Sequence, residues 1–162
     1  MKCLSLLILV VFLQYQANGQ LKGFSIGPYA EYASPVGSFS DTHKRGIGAG
    51  ISGDIRLGRL GLTGSAGILH FGGRSISDAE AKDNPSITAW PVRLGLKYRL
   101  LPALYAKFDA GNASMSNNGG NAFILSPGLG IRLLNFDFQI KYESWKGDIT
   151  RNFLGARLGI GF

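Results

Sequence analysis

From about residue 20 to the end, the chain alternates between apolar and polar or small residues. The last segment is the clearest. Leu154, Ala156, Leu158, Ile160 and Phe162 share one parity, and Gly155, Arg157, Gly159 and Gly161 share the other. The segment before it repeats the pattern, with Phe136, Phe138, Ile140 and Tyr142 set against Asp137, Gln139, Lys141 and Glu143. Strict period two is the signature of a strand with two unlike faces, because successive side chains point to opposite sides.

Read backward from there, six more segments follow the same rule. Phe123 to Leu133 alternates with Ser126, Gly128, Gly130 and Arg132. Leu104 to Ala110 alternates with Tyr105, Lys107 and Asp109, and Trp90 to Leu100 alternates with Arg93, Gly95, Lys97 and Arg99. Leu62 to Ile68 is a weaker case with uncertain ends. Ile47 to Leu57 alternates with Gly48, Gly50, Asp54 and Arg56, and Phe24 to Tyr32 with Gly27, Tyr29 and Glu31. Helical periodicity is absent except for a single turn suggested at Ser77 to Lys82. The expectation is all-β, with eight strands of roughly ten residues, the length of a tilted strand that crosses a bilayer.

The joints between these strands come in two kinds. Gly58-Arg59, Leu101-Pro102 and Leu134-Asn135 are tight, while residues 33–44, 70–86 and 112–121 are long and rich in Ser, Asn, Gly and Asp. The fourth gap on that side, 146–150, is shorter. Tight turns at one end and long loops at the other describe an antiparallel up-and-down barrel of the transmembrane kind. The tight turns and both chain ends would then face the periplasm. The aromatics suit two girdles: Phe24, Tyr98, Phe136 and Phe162 at the turn end, and Tyr32, Phe71, Trp90 and Phe123 at the loop end. Pro28, Pro91 and Pro127 oppose this plan, since proline cannot donate to a ladder. Bulges, or strands that stop short of them, are expected.

Composition decides which face meets what. Only 17% of residues are charged, 45% are hydrophobic, and 24 of 162 are glycine. A soluble sheet would present the polar face to water, where glycine only weakens a strand. Inside a narrow barrel, glycine makes room. An eight-stranded barrel has an interior that side chains just fill. Arg56, Arg93, Lys97, Lys107, Arg132, Lys141 and Arg157 are expected there, paired with Glu31, Asp54, Asp109, Asp137 and Glu143. The net charge of +7 would suit a nucleic-acid binder, yet the basic residues occur singly along alternating segments, so no nucleic-acid partner is expected.

The N-terminus reads as a secretory leader. Lys2 precedes an apolar run from Leu4 to Leu13, then Ala17-Asn18-Gly19 offers small residues for cleavage. The expected division is a signal peptide over 1–19 and one barrel domain over 20–162. Cys3 is the only cysteine, so a chain cleaved there has no disulfide and no thiol metal site.

With these features, the chain resembles the small eight-stranded outer-membrane barrels of the OmpA, OmpX and OmpW type. The resemblance covers Gln20 to Phe162 and rests on the barrel pattern and the terminal strand. It implies that Leu154, Leu158, Ile160 and Phe162 form the signal read by the outer-membrane barrel assembly machinery. It also implies a home among outer-membrane lipid and lipopolysaccharide, a non-enzymatic role carried by the external loops, and no cofactor. Some barrels of this size are enzymes acting on lipid A, for which His43, or His70 with Ser75 or Ser77, would be the candidates. No spacing specifies a triad. Asp41-Thr42-His43 and Asp78-Ala79-Glu80 are too small for a ligand set. A soluble exported ligand-binding barrel is the other alternative, and it would bury its apolar face.

Overall fold

The computed structural model describes residues 23–73, 85–116 and 120–162. The leader, Cys3, and the stretch holding Ser75, Ser77, Asp78 and Glu80 lie outside the described residues. Eight strands run in order: β1 (Phe24–Val36), β2 (His43–Leu57), β3 (Leu60–Gly73), β4 (Ile87–Arg99), β5 (Leu104–Met115), β6 (Asn121–Leu133), β7 (Phe136–Lys146) and β8 (Arg151–Ile160). A short helix, α1 (Ser38–Thr42), sits between β1 and β2. Each strand pairs antiparallel with the next, and β8 returns to β1 to close the barrel.

The closing seam runs from Tyr29 opposite Gly159 to Val36 opposite Asn152. Ile26 and Phe162 extend it by exchanging backbone hydrogen bonds, 3.1 and 3.0 Å long. Closure leaves no row of orphan donors and acceptors, which hydrocarbon could not satisfy. The three tight joints fall where the spacing of the sequence places them. Gly58 takes φ +70° and Leu134 φ +54°. Glycine adopts that left-handed conformation freely, whereas a side chain makes it strained.

The prolines neither bulge the strands nor end them. Pro28 lies opposite Ile51, Pro91 opposite Ala113, and Pro127 opposite Phe108, each inside a strand of unbroken register. On the other side of each proline the ladder lapses. The β1–β8 ladder starts at Tyr29, the β3–β4 ladder skips from Val92 to Ala89, and the β6–β7 ladder skips from Leu125 to Gly128. The missing N–H is therefore turned to a gap of two residues, and the register survives it. The register shift that does occur is elsewhere, between His43 and Gly46 on β2.

The apolar faces point outward. Leu94, Leu129 and Ile140 are 66%, 56% and 70% exposed, and the rest of the barrel exterior has the same character. Glu31, Arg93, Asp109, Lys141 and Glu143 are all buried within. This is the reverse of a soluble barrel.

Candidate functional site

Antiparallel pairing with period-two alternation sends every second side chain into the lumen, and there the barrel has two layers. In the middle, four strands contribute five charges. Arg93 on β4 reaches Glu143 on β7 through Nη2 (2.6 Å) and Nε (3.1 Å), and Nη2 lies 3.4 Å from Glu31 on β1. Lys141 bridges the same two carboxylates at 2.7 and 2.5 Å. Arg157 on β8 donates to Glu31 at 2.8 Å and lies over the Tyr29 ring, 4.0 Å from its centroid. Three cations thus share two carboxylates.

A second group follows toward the turn end. Arg132 bridges Asp54 (2.5 Å) and Asp137 (2.7 Å). Lys97 lies 3.0 Å from Asp137 and 3.7 Å from the Tyr105 ring centroid. The Tyr105 hydroxyl donates to Asp137. Lys107 pairs with Asp109 at 3.1 Å, and Thr63 also donates to Asp109. Here three cations meet three carboxylates. The cavity bounded by Asp54, Lys97, Arg132 and Asp137 measures about 30 Å³, room for about one or two waters. Such a centre anchors strands to one another and leaves no space for a bound organic molecule.

Glycine makes that crowding possible. A Cβ on Gly50 or Gly67 would come within 2.6 or 2.5 Å of the Tyr29 hydroxyl, and one on Gly130 would collide with the Tyr105 ring. These inward glycines are the sockets into which the large lumen side chains fit. Arg56, expected in the lumen, belongs only to its edge. Its side chain is 42% exposed and lies 3.9 Å from Asp54, because β2 ends at the next residue and the barrel is open there.

The second layer fills the loop end and is apolar. Phe71, Trp145 and Phe153 meet edge to face, with centroids 5.3 to 6.0 Å apart. Phe39, carried by α1, closes on Phe71 at 5.1 Å and on His43 at 4.9 Å. Leu69, Ile124, Ala113 and Ala122 belong to the same cluster, with Ala33, Ile87, Ala89 and Met115. Edge-to-face pairs of this kind add about 0.5–1.5 kcal/mol each beyond burial. Phe71 is therefore not a girdle residue. It is fully buried in the lumen, since β3 turns its even positions outward and residue 71 is odd. The other proposed girdle aromatics, among them Tyr32, Trp90, Phe123, Phe24 and Tyr98, do stand on the exterior. Trp145 joins the layers by donating to Glu143 at 2.6 Å.

The two histidines are separated by face. His43 is buried inside, with its Nδ1 2.8 Å from the Thr42 hydroxyl. His70 is exposed on the exterior of β3, its Nδ1 2.9 Å from the Thr88 hydroxyl. Among the described residues, no carboxylate pairs with either. On β8, Leu154, Leu158 and Ile160 point outward, and Phe162 follows just beyond the strand.

A closed eight-stranded up-and-down barrel, greasy outside and ion-paired inside, defines the architecture of the small outer-membrane barrels, and this chain has that fold. Solved structures agree. The outer-membrane protein Ail of Yersinia pestis in a phospholipid bilayer nanodisc matches with TM-score 0.58 at 19% identity, over 87% of this chain and 100% of that one. The N-terminal β-barrel domain of Pseudomonas aeruginosa OprF matches with TM-score 0.53 at 15% identity, over 85% and 97%. A de novo designed transmembrane β-barrel matches with TM-score 0.59 at 14% identity, over 88% and 98%. No family model and no curated protein sequence matches the chain.

Proposed function

We propose that this chain is an integral outer-membrane protein without enzymatic activity, whose barrel is a closed anchor and whose loops carry recognition. The observation that supports this most is the inversion of polarity, with Leu94 and Ile140 exposed outside and Arg93, Lys141 and Glu143 sealed inside. Apolar surface of that extent needs hydrocarbon around it. Residues 1–19 serve as a cleaved leader, the mature domain begins at Gln20, and the outer-membrane assembly machinery reads Leu154, Leu158, Ile160 and Phe162. The tight turns face the periplasm, and α1 with the long loops faces outward, among lipopolysaccharide. Loops held on a rigid barrel are where binding residues concentrate. Solutes do not diffuse through, because the ion cluster and the aromatic layer both block the axis.

Cell fractionation tests this, with electrophoresis of boiled and unboiled samples. The protein is expected in the outer-membrane fraction, with a mobility that depends on heating and a mass that starts at Gln20. Recovery from the periplasm without detergent would contradict it. A second reading, a lipid-modifying enzyme, has one observation in its favour, the exposed His70–Thr88 pair on the outer face. His70→Ala with unchanged lipid A in cells would remove it.

A further inference from the structure

The turn end of the barrel holds a second cavity, where the lumen network ends. It measures about 240 Å³ and lies between the β2–β3 and β4–β5 turns. Its lining carries five cationic side chains, Arg56, Arg59, Lys97, Arg99 and Arg132, and no carboxylate. The arginines of the two turns are held together, since Arg99 N–H donates to the Arg59 carbonyl at 2.9 Å.

The acids near this end are already engaged. Asp54 and Asp137 are the carboxylates next to the cavity, and both are bound by Arg132, with Lys97 also on Asp137. Asp54 approaches Arg56 no closer than 3.9 Å. Phe162 is paired to β1 at Ile26 and does not line the cavity. Among the described residues, Arg59 and Arg99 have no ion-pair partner, and Arg56 has only that distant one. Three guanidiniums therefore converge on one small space with their charge largely unanswered. Guanidinium forks match the oxygens of phosphate in pairs.

The rim of the cavity is apolar. Leu60 and Leu134 line it, and they are 51% and 94% exposed. Leu134 also keeps the left-handed φ of +54°, which glycine would hold without strain. An exposed leucine in that position at a turn tip is what a lipid-facing edge requires. The volume is below the ~300 Å³ at which drug-sized pockets begin, and it suits a headgroup.

We propose that this cavity binds the phosphodiester headgroup of an anionic phospholipid in the leaflet next to the tight turns, with the leucines against its acyl chains. The proposal rests on the membrane reading above. It is tested by native mass spectrometry of the refolded barrel, released from micelles doped with phosphatidylglycerol or phosphatidylcholine. Unboiled electrophoresis of the same samples reports folding. Wild type is expected to retain phosphatidylglycerol over phosphatidylcholine. R56Q/R59Q/R99Q is expected to lose that retention by about fivefold per arginine, with its heat-dependent mobility intact. Equal retention of phosphatidylglycerol by the folded triple variant would overturn the site. Equally tight binding of inorganic phosphate by the wild type, measured by calorimetry in a zwitterionic detergent, would overturn the lipid as its ligand. Failure of the wild type to show the mobility shift would sink the membrane reading itself, and this proposal with it.

Discussion

The middle and the loop end of the lumen are built from opposite materials. The middle is ionic. Glu31 and Glu143 each accept from more than one cation, and removing one carboxylate strands several charges at once. The loop end is mainly aromatic, and Phe71 itself brings no polar atom to its contacts with Phe39, Trp145 and Phe153. Both layers close the same tube. The ionic layer depends on completeness, because a half-satisfied network is worse than none. The aromatic layer depends on volume, and its losses scale with the hole left behind.

The largest effect is expected from Glu143→Ala. Arg93 and Lys141 would share Glu31 alone, and Trp145 would lose its acceptor. Unfolding by urea in lipid should show a loss of about 3–5 kcal/mol. Phe71→Ala empties the aromatic layer and should cost about 3 kcal/mol in the same measurement. Were Phe71→Ala the costlier of the two, the contrast between the layers would fail.

A double-mutant cycle sharpens the point. Lys107 and Asp109 form a pair 3.1 Å apart. Asp109→Leu alone should destabilise by about 3 kcal/mol, whereas Lys107→Met with Asp109→Leu should lie within about 1 kcal/mol of wild type. Additive losses would show that the charges act through something other than their mutual pairing. The smallest effect lies outside both layers. Leu134→Gly relieves the strained turn and should stabilise by about 0.5–1 kcal/mol, provided that thermal unfolding is followed in detergent, where no lipid edge is lost.

The contrast also explains what could be read from the sequence. Where an apolar exterior faces a charged interior, alternation is sharp, as from Phe136 to Glu143, and the strands and most lumen charges were legible. The aromatic layer was not. At the loop ends apolar residues occur on both faces of a strand, so period two loses its contrast around Ile68–Leu69 and Ala122–Leu125. Trp145 and Phe153 fell in or beside segments read as loop, and Phe71 was placed on the wrong face. The strands in fact continue to Val36, Gly73, Met115 and Lys146. Helix α1 has five residues, too few for any helical period to show. The basic turn-end cavity was hidden for another reason. Arg56 and Arg59 flank one turn, but Arg99 lies far off in sequence, and only the β3–β4 pairing brings it beside them.

Everything rests on two populations of similar apolar residues, one turned outward and one turned in. Methyl cross-relaxation in isotope-labelled protein, reconstituted in nanodiscs, compares them without a mutation. Leu94, Leu129 and Ile140 should exchange magnetisation with lipid acyl protons, while Leu69 and Ile124 should see only protein. Acyl contacts at Leu69 and Ile124, or water contacts at Leu94, Leu129 and Ile140, would contradict the account.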